Sequence, residues 1–106
     1  MYQLIFYVPE SHLEAVKTAI FATGAGRYDQ YDSCAWQTKG VGQFRPLDGA
    51  NPYLGSRGTL EQEEEWRVEL VVTDELARPA VEALVEAHPY EEPAYALISI
   101  RTLPDL

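Results

Sequence analysis

The sequence has one cysteine, Cys34, and two histidines, His12 and His88. A lone thiol excludes an intramolecular disulfide and suits a reducing cytoplasm. Two imidazoles leave no convincing Ser-His-Asp or Cys-His-Asn set, so no catalytic residue is assigned, and Cys34 beside Trp36 reads as a packed thiol. Basic residues are scarce too: 8 Lys and Arg face 17 Asp and Glu, for a net charge of −9. Phosphate contacts need a clustered basic face, which excludes a nucleic-acid-binding module. No apolar run approaches the roughly 20 residues that span a bilayer, so no membrane role is expected. The stretch Met1 to Val8 carries no basic leader or small-residue cleavage site and reads as a strand, not a signal peptide.

What is present is material for a core. Apolar residues make up 46% of 106 residues, including Trp36, Trp66, seven Tyr and three Phe. That is the composition of one folded domain spanning residues 1–106, with no room for a second core.

The pattern of elements is legible along the chain. Tyr2 to Val8 is a short strand of aromatic and branched residues. Ser11 and Glu14 have capping-box spacing, predicting a helix from about His12 to Thr23 with Leu13, Val16 and Ile20 inward. Gly24-Ala25-Gly26 ends it. Tyr28 to Thr38 reads as a second strand, broken at Gly40-Val41-Gly42, with a short extension over Gln43 to Pro46. Residues 47–59 are expected as a long loop, usually a functional feature in a small domain. Glu61 to Thr73 alternates most clearly, with Trp66, Val68, Leu70 and Val72 on one face. Asp74 offers a cap to a helix reaching Ala87, with Ala77, Val81, Leu84 and Val85 on its apolar face, and Pro79 near its start. Ala94 to Arg101 is the last strand, apolar on both faces and therefore expected to be covered on both. The order β-α-β-β-α-β predicts an α+β ferredoxin-like sandwich: an antiparallel four-stranded sheet with two helices on one face, plus a long Gly-rich loop.

Two segments carry candidate chemistry. His88-Pro89-Tyr90-Glu91-Glu92-Pro93 places an imidazole, a phenol and two carboxylates between prolines that stop helix and sheet. His88, Glu91 and Glu92, with Cys34, are suitable donors for a divalent metal such as zinc or copper. The competing structural reading makes this a rigid turn, with His88 bonded at the helix end and the carboxylates solvated or paired with loop arginines. The second segment is slightly basic on an acidic body. Its backbone amides and arginines, at Gly40, Gly42, Arg45, Gly55, Arg57 and Gly58, form a candidate loop for a small anion. No Gly-Lys-Ser/Thr follows, so it is not a P-loop, and the glycines are also explained by a convoluted turn.

A set of motifs in fixed order resembles a known family. They are Gly24-Ala25-Gly26, Tyr31-Asp32-Ser33-Cys34-Ala35-Trp36, Gly40-Val41-Gly42-Gln43-Phe44-Arg45-Pro46, Gly49, Asn51-Pro52-Tyr53-Leu54-Gly55, Leu60-Glu61 and Ala87 through Tyr95. Nearly the whole chain resembles the small domain inserted in many bacterial NIF-three-like (YqfO) proteins. The resemblance implies a fold similar to CutA and PII proteins, and a free-standing version of that insert. It also implies that long members carry a two-metal site on flanking parts, which two histidines cannot reproduce. The function expected is therefore a non-enzymatic, oligomeric cytoplasmic binding or regulatory protein, a dimer or trimer, taking a divalent metal or small anion, with a protein partner also envisaged. A metal-dependent enzyme completed at a subunit interface, and a purely structural interaction module, stand as alternatives.

Overall fold

The computed structural model describes residues 1–106. Its elements run β1 (Tyr2–Val8), α1 (Leu13–Phe21), β2 (Trp36–Phe44), β3 (Glu61–Val72), α2 (Ala77–Ala87) and β4 (Tyr95–Ser99). The strands form one antiparallel sheet in the order β2-β3-β1-β4. This is the expected ferredoxin-like arrangement, with both helices contributing to one core.

Register places the core. Leu4 pairs with Leu70, Phe6 with Val68 and Val8 with Trp66, so one set of alternating positions on the two central strands points the same way. That set meets Val16 and Ile20 of α1 and Ala80 and Leu84 of α2 in one cluster of 12 buried residues. Lys17 Nζ donates to Gln37 Oε1 at 2.9 Å and ties α1 to β2.

Both helices are entered differently from expectation. A 3-10 turn, Glu10–His12, precedes α1, and no side-chain cap forms there. The Ser11 hydroxyl instead meets His12 Nδ1 at 2.8 Å, which removes it from capping. Asp74–Leu76 is likewise a 3-10 turn, and the Asp74 carboxylate accepts from the Met1 amino group at 2.6 Å. On α2 the buried positions are Ala80 and Leu84, while Val85 is exposed. Gly24 does terminate α1, at φ +97° and with its N–H on the Phe21 carbonyl.

The second strand is the largest correction. Residues 28–31 form a tight turn, in which Tyr28 and Tyr31 exchange both backbone hydrogen bonds at 2.8 Å around Asp29 at φ +48. β2 then runs unbroken through Gly40-Val41-Gly42, with Val41 opposite Glu64 and Gly42 opposite Glu63. Neither glycine has a positive φ. Gly42 is needed for space, because a Cβ there would run into the Glu65 carboxylate. The connecting loop is thus residues 45–60. Cys34 is half-buried and lies outside the core cluster, in a hollow with Gln3, Trp36 and Glu69.

β3 outruns its neighbour. β1 pairs with it only from Trp66 onward, so Glu61 to Glu65 pair with β2 alone and form a two-stranded ribbon. The ribbon accounts for the elongated form, 48 × 24 × 23 Å. At the other edge, every residue of β4 is exposed within the single chain, contrary to the burial expected from its apolar faces. The reason is position: β4 is an edge strand, and neither helix extends over it far enough to exclude water.

Candidate functional site

Pro89 shapes the turn beyond α2. Its ring disfavours helical backbone at the preceding residue, and His88 accordingly leaves the helix at φ −73°, ψ 138°. This swings the imidazole away from the helix and under β1. There the ring is buried and both nitrogens are engaged. The Tyr90 N–H donates to Nδ1 at 3.1 Å, so Nδ1 is unprotonated. Nε2 therefore carries the hydrogen and donates to the Tyr7 carbonyl at 2.6 Å. Burial holds the His88 pKa below its ordinary value, opposed by the Tyr7 bond and assisted by His12. His88 is a neutral clamp between the turn and the central sheet, not a cation at a helix end.

The clamp fixes Tyr90. Its ring stands 4.8 Å from His88, 6.3 Å from Phe44 at the end of β2 and 6.1 Å from Tyr53 in the long loop. Tyr53 in turn packs edge-on against His12 at 5.9 Å. The loop is braced internally by Arg57 Nε donating to the Ala50 carbonyl at 2.7 Å, and by the Gly58 N–H on the Pro46 carbonyl at 2.7 Å. Glu91 anchors it from outside, accepting the Asn51 N–H at 3.1 and 3.3 Å.

Between ribbon, loop and turn lies a groove of about 410 Å³, within the range of small-ligand sites. Phe44, Tyr53, Tyr90 and Pro46 supply much of its apolar wall, and Arg45, Glu65, Glu91 and Glu92 its charge. The Tyr90 hydroxyl is buried without a well-formed hydrogen bond. Its ionisation is pushed far up by burial first, then by the Glu65 carboxylate beside it and by Glu63.

The two expected residue sets are placed as follows. Glu91 and Glu92 line the groove, His88 sits behind it with both nitrogens used, and Cys34 lies in the separate hollow of Gln3 and Trp36. No group of three or more His, Cys, Asp or Glu residues that could hold a metal ion is present. Of the loop set, Gly40 and Gly42 are strand residues, while Gly55 and Gly58 serve turns at φ +85 and +79°. Arg57 is spent on Ala50, and Arg45 alone lines the groove. Sequence reasoning missed Phe44, Tyr53 and Glu65. Phe44 and Glu65 come to one groove only because β2 pairs with β3, where Phe44 stands opposite Glu61 and Glu65 opposite Gly40, although the two glycines of β2 were a signal of close approach.

With this geometry in place, the fold defines the class of protein. CutA from Pyrococcus horikoshii superposes with a TM-score of 0.68 at 21% identity, covering 97% of this chain and 87% of that one. The PII-like protein CutA from Nostoc does so at 0.69 and 15%, covering 100% and 86%. The chain thus has the CutA/PII-like α+β fold. No protein-family model matches it. Curated relatives are closer in sequence: the GTP cyclohydrolase 1 type 2 homologs of Halalkalibacterium halodurans (41% identical over 97 residues) and Bacillus subtilis (38% over 102). They match 92% and 96% of this chain but only 26% and 27% of their own lengths. A Bacillus cereus protein related to NIF3 superposes with a TM-score of 0.82 at 35% identity, over 95% of this chain and 26% of that one. Over nearly its whole length the chain is similar to one segment of the NIF3-related (YqfO) proteins, a segment with the same CutA-like fold. It spans about a quarter of the length of the curated relatives it matches. No helix is long and apolar enough to cross a membrane.

Proposed function

We propose that this is a small binding or regulatory domain of the cytoplasm that takes a ligand in the groove between ribbon, loop and His88 turn, and that assembles with copies of itself through β4. The observation that carries the ligand reading is the groove itself. Three aromatic side chains and four charged ones converge there from ribbon, loop and turn; His88 fixes the turn to β1, and Glu91 bonds the turn to the loop. Support for assembly comes from β4, an edge strand with Tyr95, Leu97 and Ile98 between 37% and 47% exposed. An apolar edge of this kind is normally covered. The activity of the longer relatives is not part of this reading, and no reaction is assigned to the groove.

Light scattering across a concentration series tests the assembly. A dimer or trimer is expected, and Ile98→Glu should return it to a monomer with unchanged circular dichroism. A wild-type protein that stays monomeric at about 100 μM, far above the dissociation constants of specific interfaces, would remove β4 as an interface. Metal binding through His88 would require its bonds to Tyr7 and Tyr90 to break. A zinc titration of wild type beside His88→Ala decides that point, since equal heats in both proteins leave His88 out of any metal site.

A further inference from the structure

We propose that the groove selects a small organic ammonium ion, an amine nitrogen bearing alkyl groups on a compact apolar body. This deepens the reading above and rests on it. Two independent features of the groove lead there.

The first is charge. Of the groups lining the groove, Glu65, Glu91 and Glu92 are acidic and Arg45 alone is basic. None of these three carboxylates is in an ion pair, whereas Lys17, Lys39, Arg67 and Arg78 are each paired with a carboxylate elsewhere. Glu91 is occupied by the Asn51 N–H, but its charge remains. A free anion entering this groove would meet a net negative wall on a chain of net charge −9. A cation would find carboxylates without a counter-ion.

The second is the aromatic wall. Phe44, Tyr90 and Tyr53 stand in sequence with centroids 6.3 and 6.1 Å apart, each pair tilted at 45°. All three rings line the same groove, and aromatic faces attract alkylated ammonium groups. The Tyr90 ring is held in that wall with its hydroxyl buried beside the Glu65 carboxylate. Alkyl groups on nitrogen match rings better than bare ammonium, which prefers water. Glu65 is held at the wall by the absence of a side chain at Gly42, making Gly42 a positioning residue for the charge.

The test compares choline with 3,3-dimethylbutan-1-ol, which has the same shape and no charge, and with inorganic phosphate, by amide NMR titration of the full chain. Choline should shift groove amides such as Gln43 and Ala94 and bind at least about tenfold more tightly than the neutral alcohol, the size of a desolvated cation–π preference. Glu65→Gln and Tyr90→Leu should each weaken choline by about fivefold or more, and Gly42→Ala should weaken it by displacing Glu65. Equal binding of the neutral alcohol at the groove would overturn the ammonium assignment and leave the groove as a ligand site. A preference for phosphate would do the same. No groove shifts with any of the three would overturn the assignment and the groove reading together. Sedimentation with phosphatidylcholine vesicles separates the sources of the ammonium group: protein left in the supernatant agrees with a free small molecule, and co-sedimentation overturns it.

Discussion

β3 is two strands in one. From Trp66 to Val72 it lies between β1 and β2, with Val68, Leu70 and Val72 buried under the helices. From Glu61 to Glu65 it projects past β1, pairs only with β2 and carries four carboxylates. The first region is filled by side chains that touch one another; the second borders a groove through Glu65, and of its four carboxylates only Glu64 has an ion-pair partner, Lys39. Stability is concentrated in one half and the capacity to bind in the other, although the backbone runs through both without a break.

The largest test of that contrast sets Leu70→Ala against Glu63→Ala in urea unfolding. Leu70 is 4% exposed, and removing it should cost about 2–5 kcal/mol through lost burial and a cavity. Glu63→Ala should stay within about 0.5 kcal/mol, since it removes a surface charge from an acidic ribbon. Similar losses in both would mean that the ribbon is as integral to the fold as the core strands.

A smaller effect separates the glycines of the two regions. Gly26 has φ +77°, and a Cβ there would come within 2.8 Å of the Phe21 ring and 3.0 Å of the Cys34 carbonyl. Gly26→Ala should cost about 2 kcal/mol, combining backbone strain with contact against a fixed peptide. Gly40 has no atom within 4 Å of its would-be Cβ and no positive φ. Gly40→Ala should be neutral or stabilise by up to about 1 kcal/mol, because alanine narrows the unfolded ensemble.

His88 joins the two regions, and pH reads its contribution. Its folded-state pKa lies below the ordinary 6.5, so the unfolded chain binds the extra proton first as pH falls. Its stabilising contribution is complete above about pH 6.5, declines as pH drops through the lowered native value, and is level below it. Urea midpoints at several pH values around that window should fall more steeply for wild type than for His88→Gln. A parallel fall in both would mean that the imidazole is not the group being titrated.

Much of the fold was legible because its signals are local and periodic. Trp66, Val68, Leu70 and Val72 recur every second residue, and Leu13, Val16 and Ile20 follow the helical period, so both core faces could be read directly. β2 was misplaced because its identity is not local. Lys39 to Phe44 has little apolar alternation and becomes a strand by pairing with Glu61 to Trp66. The site was half legible for the same reason. The turn from His88 to Glu92 was visible as a cluster of chemistry between prolines, yet the direction of the imidazole depends on the Tyr7 carbonyl, 81 residues away. Phe44, Tyr53 and Tyr90 lie on three segments, and no spacing rule connects them.

A small stability change is expected at Tyr90, where the comparison is sharpest. Its hydroxyl is buried without a hydrogen bond of good geometry, at the boundary between packed sheet and open groove. A buried polar group without a partner costs desolvation that no bond repays. Tyr90→Phe keeps the ring contacts with His88, Phe44 and Tyr53 and removes only the oxygen. The variant should therefore be as stable as wild type or more stable by up to about 1 kcal/mol in urea unfolding. A loss of more than about 1 kcal/mol would show that the hydroxyl bonds to Glu65 in solution, and that this end of the groove is sealed by the protein itself. An unchanged or raised midpoint would mean that the hydroxyl gains no bond in the folded state that repays its desolvation.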